Sequence, residues 1–282
     1  IKINAPGRGK HKADVIPPAP PLSIPRGYNV VERTSLYEPF AHAVIVQNPT
    51  TGEFKYILDE LVLDAFEREI YNKILEVLLA EIKSPRDEIK SPREFFDNEA
   101  KKIVDKYRIS LGWLPDVSWS KIIYHAERDL VGFSQIDALM RDPNIEDISC
   151  DGVGPLFLEH KIFQSLACDF GFDDKESLNQ FALWLSERSG KQATHRTPIV
   201  DTILSDGSRL NLVYGDDVSM KGTNFTIRKF SATPLPVTKL ISFGTMDATL
   251  AAYVWMLLRE GMNLFVCGET ASGKTTTLTA VT

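Results

Sequence analysis

Apolar residues between about 59 and 131 recur at the spacing of an α-helix. They return every three or four positions in three successive sets, which begin at Leu63, Phe96 and Trp119. This spacing places each set on one face of a helix. Because breaks containing proline separate the sets, the pattern predicts a bundle of three amphipathic helices with a structural or partner-binding role.

After residue 133 the pattern changes to short strands mixed with a helix. The helix is expected to begin at Asp173 or Asp174, where an acidic residue can cap its first turn. Apolar runs bounded by turn residues predict strands at 145–150, 155–158, 199–204, 209–214 and 224–229. This region is therefore expected to form a mixed α/β domain.

Two arginines stand out because side chains alternate between the faces of a strand. Arg209 alternates with Leu210 and Leu212, and Arg228 alternates with Phe225 and Ile227. If the apolar residues share a core, Arg209 and Arg228 project from the same polar face of a sheet. There they could bind a polyanion through their forked donors, or they could be solvated surface residues. A third alternative is that they pair with Asp206, Asp216 or Asp217.

A glycine-rich motif near residue 270 carries the most specific chemistry. Gly268 to Thr275 fits the phosphate-loop pattern G-x-x-x-x-G-K-[ST]. The apolar run at 262–267 before it predicts a buried strand, and the segment after it can begin a helix. Lys274 would supply a charge to the β/γ-phosphates, and Thr275 would hold Mg²⁺ through its hydroxyl. The predicted nucleotide contacts are Gly268, Glu269, Thr270, Ala271, Ser272, Gly273, Lys274, Thr275 and Thr276.

Composition narrows the class of protein. Of 282 residues, 43% are hydrophobic and 25% charged, with a net charge of −6, which is typical of a soluble intracellular protein and gives no sign of nucleic-acid binding. The three cysteines are too far apart to indicate disulfides or a zinc site, and no apolar run is long enough for a membrane span. Residues 1–27 are basic and rich in proline, as in a solvated tail.

Taken together, five segments resemble the secretion ATPase superfamily, the ring-forming motors of type II and type IV secretion, pilus assembly and the archaeal swimming filament. The resemblance covers about residues 133–282, and the preceding bundle is similar to that of archaeal members. The segments are Asp142–Ile148, Arg196–Asp201, Asp206–Arg209, Phe225–Phe230 and Gly268–Leu278.

The sequence patterns and the resemblance together predict a layout in five parts. Residues 1–58 would be a basic, proline-rich tail and leading segment, residues 59–132 a three-helix bundle, and residues 133–230 an α/β N-terminal domain. Residues 231–236 would be a linker, and residues 237–282 the incomplete start of a RecA-like ATPase domain that ends after the phosphate loop. In this family the nucleotide lies between the two domains. ATP and Mg²⁺ would be the cofactors, Lys274 catalytic, and Arg209 and Arg228 the arginines that reach the terminal phosphate.

The same resemblance implies a homohexamer in the cytoplasm that associates peripherally with the membrane through a platform protein. Only seven residues follow Thr275. We therefore expect the chain to be a piece of a longer ATPase and to hydrolyse ATP poorly by itself, because later strands supply the groups that position Mg²⁺ and water. The alternatives are a different phosphate-loop enzyme, such as a small-molecule kinase, or a docking fragment without catalysis.

Overall fold

The computed structural model describes residues 24–81, 92–107, 116–230, 235–269 and 272–282. These residues form a mixed α/β structure with one nine-stranded sheet and eight α-helices. The chain divides into two compact units, Ile1–Lys229 and Phe230–Thr282. Residues 1–23, which include most of the predicted basic tail, lie outside the described ranges.

The sheet belongs to the first unit and is assembled from two groups of strands. Its order is β1-β2-β3-β6-β5-β4-β9-β8-β7, and neighbours run antiparallel except β3 and β6, which are parallel and pair at Lys55 with Ala167 and Tyr56 with Cys168. The strands are β1 Asn29–Tyr37, β2 Ala41–Gln47, β3 Phe54–Glu60, β4 Ile145–Cys150, β5 Gly154–His160, β6 Gln164–Phe172, β7 Ile199–Ile203, β8 Arg209–Val213 and β9 Asn224–Arg228.

Five helices complete the first unit. Three of them, α1 to α3, pack their apolar faces into a separate core that includes Ile74, Phe96 and Ile122. The helices are α1 Ala65–Glu81, α2 Pro92–Tyr107, α3 Asp116–Leu130, α4 Asp137–Arg141 and α5 Lys175–Arg188. Within the part of the chain that the structure describes, no helix is both long and apolar enough to cross a bilayer.

One face of the sheet is buried and the other is exposed around β7, β8 and β9. The buried side chains of these strands join residues of α5, including Phe181 and Leu185, in the main core. Along β8 and β9, exposed and buried residues alternate strictly from Arg209 to Leu212 and from Phe225 to Arg228. The alternation follows from strand geometry, and it leaves a polar face available for function.

The strands β1, β2, β3 and β6 were missed in the sequence interpretation, which placed residues 29–58 in a leading segment. The sequence does contain a signal for the hairpin of β2 and β3, namely Asn48 and Gly52 between two apolar runs. Asn48 accepts backbone N–H bonds from Thr50 and Thr51 through its side chain, and Gly52 has a φ of 74°. An Asx turn with a left-handed glycine between two apolar runs is a hairpin signal.

The second unit contains three helices, α6 Val237–Ser242, α7 Ala248–Arg259 and α8 Lys274–Val281. The buried strand predicted at 262–267 is wrong, because this segment is not in a sheet. A strand needs a neighbour to pair its backbone groups, and the described residues of this unit contain no other strand. The segment keeps the alternation of an extended chain, since Leu264 is partly buried and Phe265 is 87% exposed.

A network of charged and phenolic groups joins the helical bundle to the sheet. Arg128 of α3 donates from Nη1 to both carboxylate oxygens of Glu60, at 3.1 and 3.2 Å, and from Nε to Asp129 at 2.9 Å. The hydroxyl groups of Tyr124 and Tyr71 donate to Glu60 and Asp129 at 2.5 and 2.6 Å. Because only 14% of the side chains of Arg128 and Glu60 is exposed, solvent screens these contacts weakly.

We expect Arg128→Met to lower the free energy of unfolding by about 3 kcal/mol, because it leaves two shielded carboxylates without their cation. Urea denaturation followed by circular dichroism measures the change. Lys73→Met is the matched control, since Lys73 forms an exposed i,i+4 pair with Glu69 and its loss should not shift the midpoint measurably. Equal midpoints for Arg128→Met and the wild type would contradict this role.

Candidate functional site

The phosphate-loop motif leads directly into a helix, with a left-handed glycine at the junction. Lys274 is the first residue of α8, and Gly273 is its N-cap with a φ of 81°. The backbone carbonyl of Gly273 accepts the N–H of Thr277 at 2.8 Å, which closes the first helical turn. The helix therefore presents its free N-terminal amides and the positive end of its dipole toward the loop.

At Gly268 a larger residue would fit only if the exposed hydroxyl of Ser272 moved away. A Cβ atom built there would lie 2.6 Å from Oγ of Ser272, which is closer than non-bonded atoms approach. The backbone N–H of Ser272 donates to the carbonyl of Glu269 at 3.2 Å, and Nζ of Lys274 donates to the same carbonyl. The carbonyl of Glu269 therefore accepts two hydrogen bonds, one of them from the lysine of the motif. Thr270 and Ala271 fall outside the described ranges.

These features fit a triphosphate and a hard cation. Lys274 can exchange its carbonyl partner for phosphate oxygens, which are stronger acceptors because they are charged. Thr275 is exposed in the first turn of α8, and Thr276 is partly buried beside it. No group of three His, Cys, Asp or Glu residues within the described ranges could hold a metal. Among the fixed positions of the motif, Thr275 is the one whose hydroxyl could serve as a magnesium ligand.

The other two predicted residues, Arg209 and Arg228, lie directly opposite each other in the β8–β9 ladder. Their side chains are 70% and 80% exposed and belong to the polar face of the sheet. Directly opposed residues of an antiparallel pair have Cβ atoms about 5 Å apart. The two guanidinium groups therefore start from adjacent points and can converge on one anion.

Each arginine has a carboxylate neighbour, but the two arrangements differ. Arg209 donates from Nε and Nη2 to the two oxygens of Asp201 at 3.3 and 3.2 Å, and these hydrogen bonds, followed by the charge of Asp201, raise the pKa of Arg209. Nε of Arg228 lies 3.9 Å from Oδ1 of Asp147, beyond hydrogen-bonding distance. Burial raises the pKa of Asp147, and Arg228 opposes that rise.

The acidic partners named from the sequence are wrong. Asp206 accepts from Ser208, Asp216 accepts from Nζ of Lys175 at 2.7 Å, and Asp217 lies 3.7 Å from Nδ1 of His195. Identifying Asp201 as the partner of Arg209 requires the register of the β7–β8 hairpin. Ile203 pairs with Arg209, and a residue two positions along the same strand, Asp201, shares the exposed face.

A shallow groove lies beside Arg209, with a volume of about 800 Å³. Lys191 and Arg209 bring positive charge to it, and Asp201 brings negative charge. Nζ of Lys191 donates to the backbone carbonyl of Asp201 on the free edge of β7. The groove therefore carries charges of both signs beside Arg209.

Comparison with known proteins finds relatives in Methanocaldococcus jannaschii. The chain is 35% identical to its uncharacterized protein MJ1288 over 199 residues, which cover 68% of this chain and 78% of that protein. The chain belongs to the MJ1288 family. No protein-family model matches it.

Two further relatives are much longer than the matched region. The chain is 47% identical to the uncharacterized protein MJ0900 of the same organism over 161 residues, which is 57% of this chain and 29% of that protein. It is 32% identical to the uncharacterized protein MJ0781 over 149 residues, which is 51% of this chain and 20% of that protein. The chain thus spans less than a third of the length of these two relatives.

Among solved structures, the chain is similar to the VirB11 ATPase of the Brucella suis type IV secretion system, crystallised with sulphate. The TM-score is 0.32 and the sequence identity 19%, with 50% of this chain and 48% of that chain covered. A likeness at this level supports no conclusion about the function of the MJ1288 family member described here.

The thiol of Cys267, which directly precedes the loop, can be tested for its exposure to solvent. Cys267 is exposed, whereas Cys150 and Cys168 are buried, and burial raises the pKa of both buried thiols. Because thiolates are the reactive form, we expect a disulfide reagent at pH 8 to label one thiol rapidly in the native chain and none in Cys267→Ser. Absorbance of the released thiolate measures the count. Rapid labelling that persists in Cys267→Ser would contradict the burial of the other two thiols.

Proposed function

We propose that this chain is the ATP-binding part of a motor ATPase of the secretion superfamily. The observation that carries the proposal is the motif Gly268–Thr275, in which Gly273 is left-handed at the N-terminus of α8 and Lys274 opens that helix. Glycines that allow inward-facing amides, a helix N-terminus and one lysine are together the chemistry of a triphosphate site. A serine- or glycine-rich surface turn does not require the lysine or the helix in these positions.

Each residue has a distinct role in this proposal. Backbone amides of the loop bind the β-phosphate, Lys274 neutralises the β/γ end, and Thr275 contributes its hydroxyl to Mg²⁺. Arg209 and Arg228 engage the terminal phosphate, because their exposed, adjacent guanidinium groups suit three equatorial oxygens. Support for this role comes from their opposed positions in the ladder, which bring two exposed positive charges to adjacent points on one face of the sheet.

The motor function extends this site to the whole protein. ATP binding and phosphate release would be coupled to motion between the domains of the whole protein. Of the predicted linker at residues 231–236, residues 231–234 lie outside the described ranges. In a homohexamer each motion would be passed to a neighbour and then to a membrane platform protein. We propose a cytoplasmic location at the membrane surface, reached through that partner, with no part for nucleic acid.

Titration of the purified chain with ATP and with ADP, each with and without Mg²⁺, tests the site. We expect Lys274→Ala to weaken binding of both nucleotides at least tenfold, because the phosphates then lose their positively charged partner. Arg209→Ala and Arg228→Ala should keep ADP affinity and lose the preference for ATP. Where the whole protein is assayed, the arginine variants should also lower turnover.

Arg33→Ala is the matched control for the arginine variants. Arg33 is a half-exposed arginine on β1 that donates to a carboxylate of Asp59 at 2.9 Å, as Arg209 does to Asp201. Its loss should leave the affinities for ATP and ADP unchanged. The proposal fails if the wild-type chain binds no nucleotide, or if Lys274→Ala binds ATP as tightly as the wild type does.

A further inference from the structure

Asp201 occupies the Nε and Nη2 donors along one side of Arg209. Its carboxylate accepts from these two nitrogens of the guanidinium fork at 3.3 and 3.2 Å. This is the same bidentate arrangement in which arginine binds phosphate. A phosphate oxygen could therefore reach that side of Arg209 only by displacing the carboxylate.

The pair contributes little to holding the fold together. The side chains of Asp201 and Arg209 are 52% and 70% exposed, and ion pairs in such positions are screened by solvent. The backbone of Asp201 is placed independently by the β7–β8 ladder, where it lies opposite Asn211. Replacing the carboxylate by a neutral group of the same shape should thus leave the sheet intact.

Arg228 provides an internal comparison. Its carboxylate neighbour, Asp147, is too far away for a hydrogen bond, and Oδ1 of Asp147 has no hydrogen-bond partner among the described residues. One arginine of the opposed pair is therefore restrained by a carboxylate, while the other is held only by charge attraction. The restraint on Arg209 is a property of Asp201 rather than of the strand pairing.

We propose that Asp201 is a positioning residue that holds Arg209 along the sheet until a terminal phosphate displaces it. This inference rests on the proposed function, since it concerns how Arg209 meets the nucleotide. Asp201 opposes binding in two ways, by competing for the same donors and by placing a negative charge beside the incoming phosphate. Its removal should tighten the binding of ATP, whereas loss of a supporting residue would weaken it.

The test is a double-mutant cycle of nucleotide affinity in the complete chain with Mg²⁺. The variants are Asp201→Asn, Arg209→Ala and the double variant, titrated with a nonhydrolysable ATP analogue and with ADP. We expect Asp201→Asn to bind the analogue about threefold to tenfold more tightly and ADP unchanged, because only the terminal phosphate meets Arg209. In the Arg209→Ala background the gain should disappear.

Asp216→Asn is the matched control, because it removes the same charge from an exposed ion pair, that of Lys175 and Asp216. It should not change the affinity for the analogue. Asp201→Ser serves as a second neutral variant, and circular dichroism checks that both fold. Unchanged or weaker binding in both Asp201 variants, or an equal gain without Arg209, overturns the inference while leaving nucleotide binding established. Absence of binding by the wild type overturns the proposed function and this inference with it.

Discussion

The pairing register between β8 and β9 is the constraint on which the candidate site depends. It sets Leu210 opposite Ile227 in the core and, as a necessary consequence, Arg209 opposite Arg228 outside it. A slip of one residue would bury the charges and expose the apolar side chains, so the core holds the register firmly. The cost of opposing two like charges is therefore met by hydrophobic burial on the other face of the same strands.

This arrangement fixes the backbone of the two arginines and leaves their guanidinium groups exposed. The main core of β8, β9 and α5 fixes the two Cα positions, while the exposed guanidinium groups can change partners. The phosphate loop shows the same principle in another form. Gly273 and the first turn of α8 set the backbone where the motif enters the helix, and the ammonium group of Lys274 is bound to a carbonyl that it can leave. Both places combine fixed geometry with replaceable contacts.

The part of this account that is local in sequence could be predicted. Alternation in 209–212 and 225–228 requires only strand geometry, and the helix at Lys274 requires only the absence of a breaker after Gly273. The partner of Arg209 needed the hairpin register as well, which explains why Asp206, Asp216 and Asp217 are the aspartates that the sequence suggests and Asp201 is not. The parallel pairing of β3 with β6 joins residues more than a hundred positions apart, and no local pattern indicates it.

The predicted strand at 262–267 failed for the same physical reason. Its sequence has the apolar character of a buried strand, but a strand forms only where another can satisfy its backbone groups. In the second unit the buried core is small, with Val237, Ala251 and Val281 at its centre, and Phe265 remains exposed.

The relatives MJ0900 and MJ0781 are several times longer than their matched regions, so the activity of a whole protein of this kind is a proposal.

The proposed function requires the amides and lysine of the loop to bind the phosphates of a nucleotide. A crystal structure of the chain with Mg²⁺ and a nonhydrolysable ATP analogue would test this binding. We expect the triphosphate against the backbone from Gly268 to Thr275, with Nζ of Lys274 moved from the carbonyl of Glu269 to the phosphate oxygens. Triphosphate bound at another place, with the loop unchanged at a saturating concentration, would contradict the account.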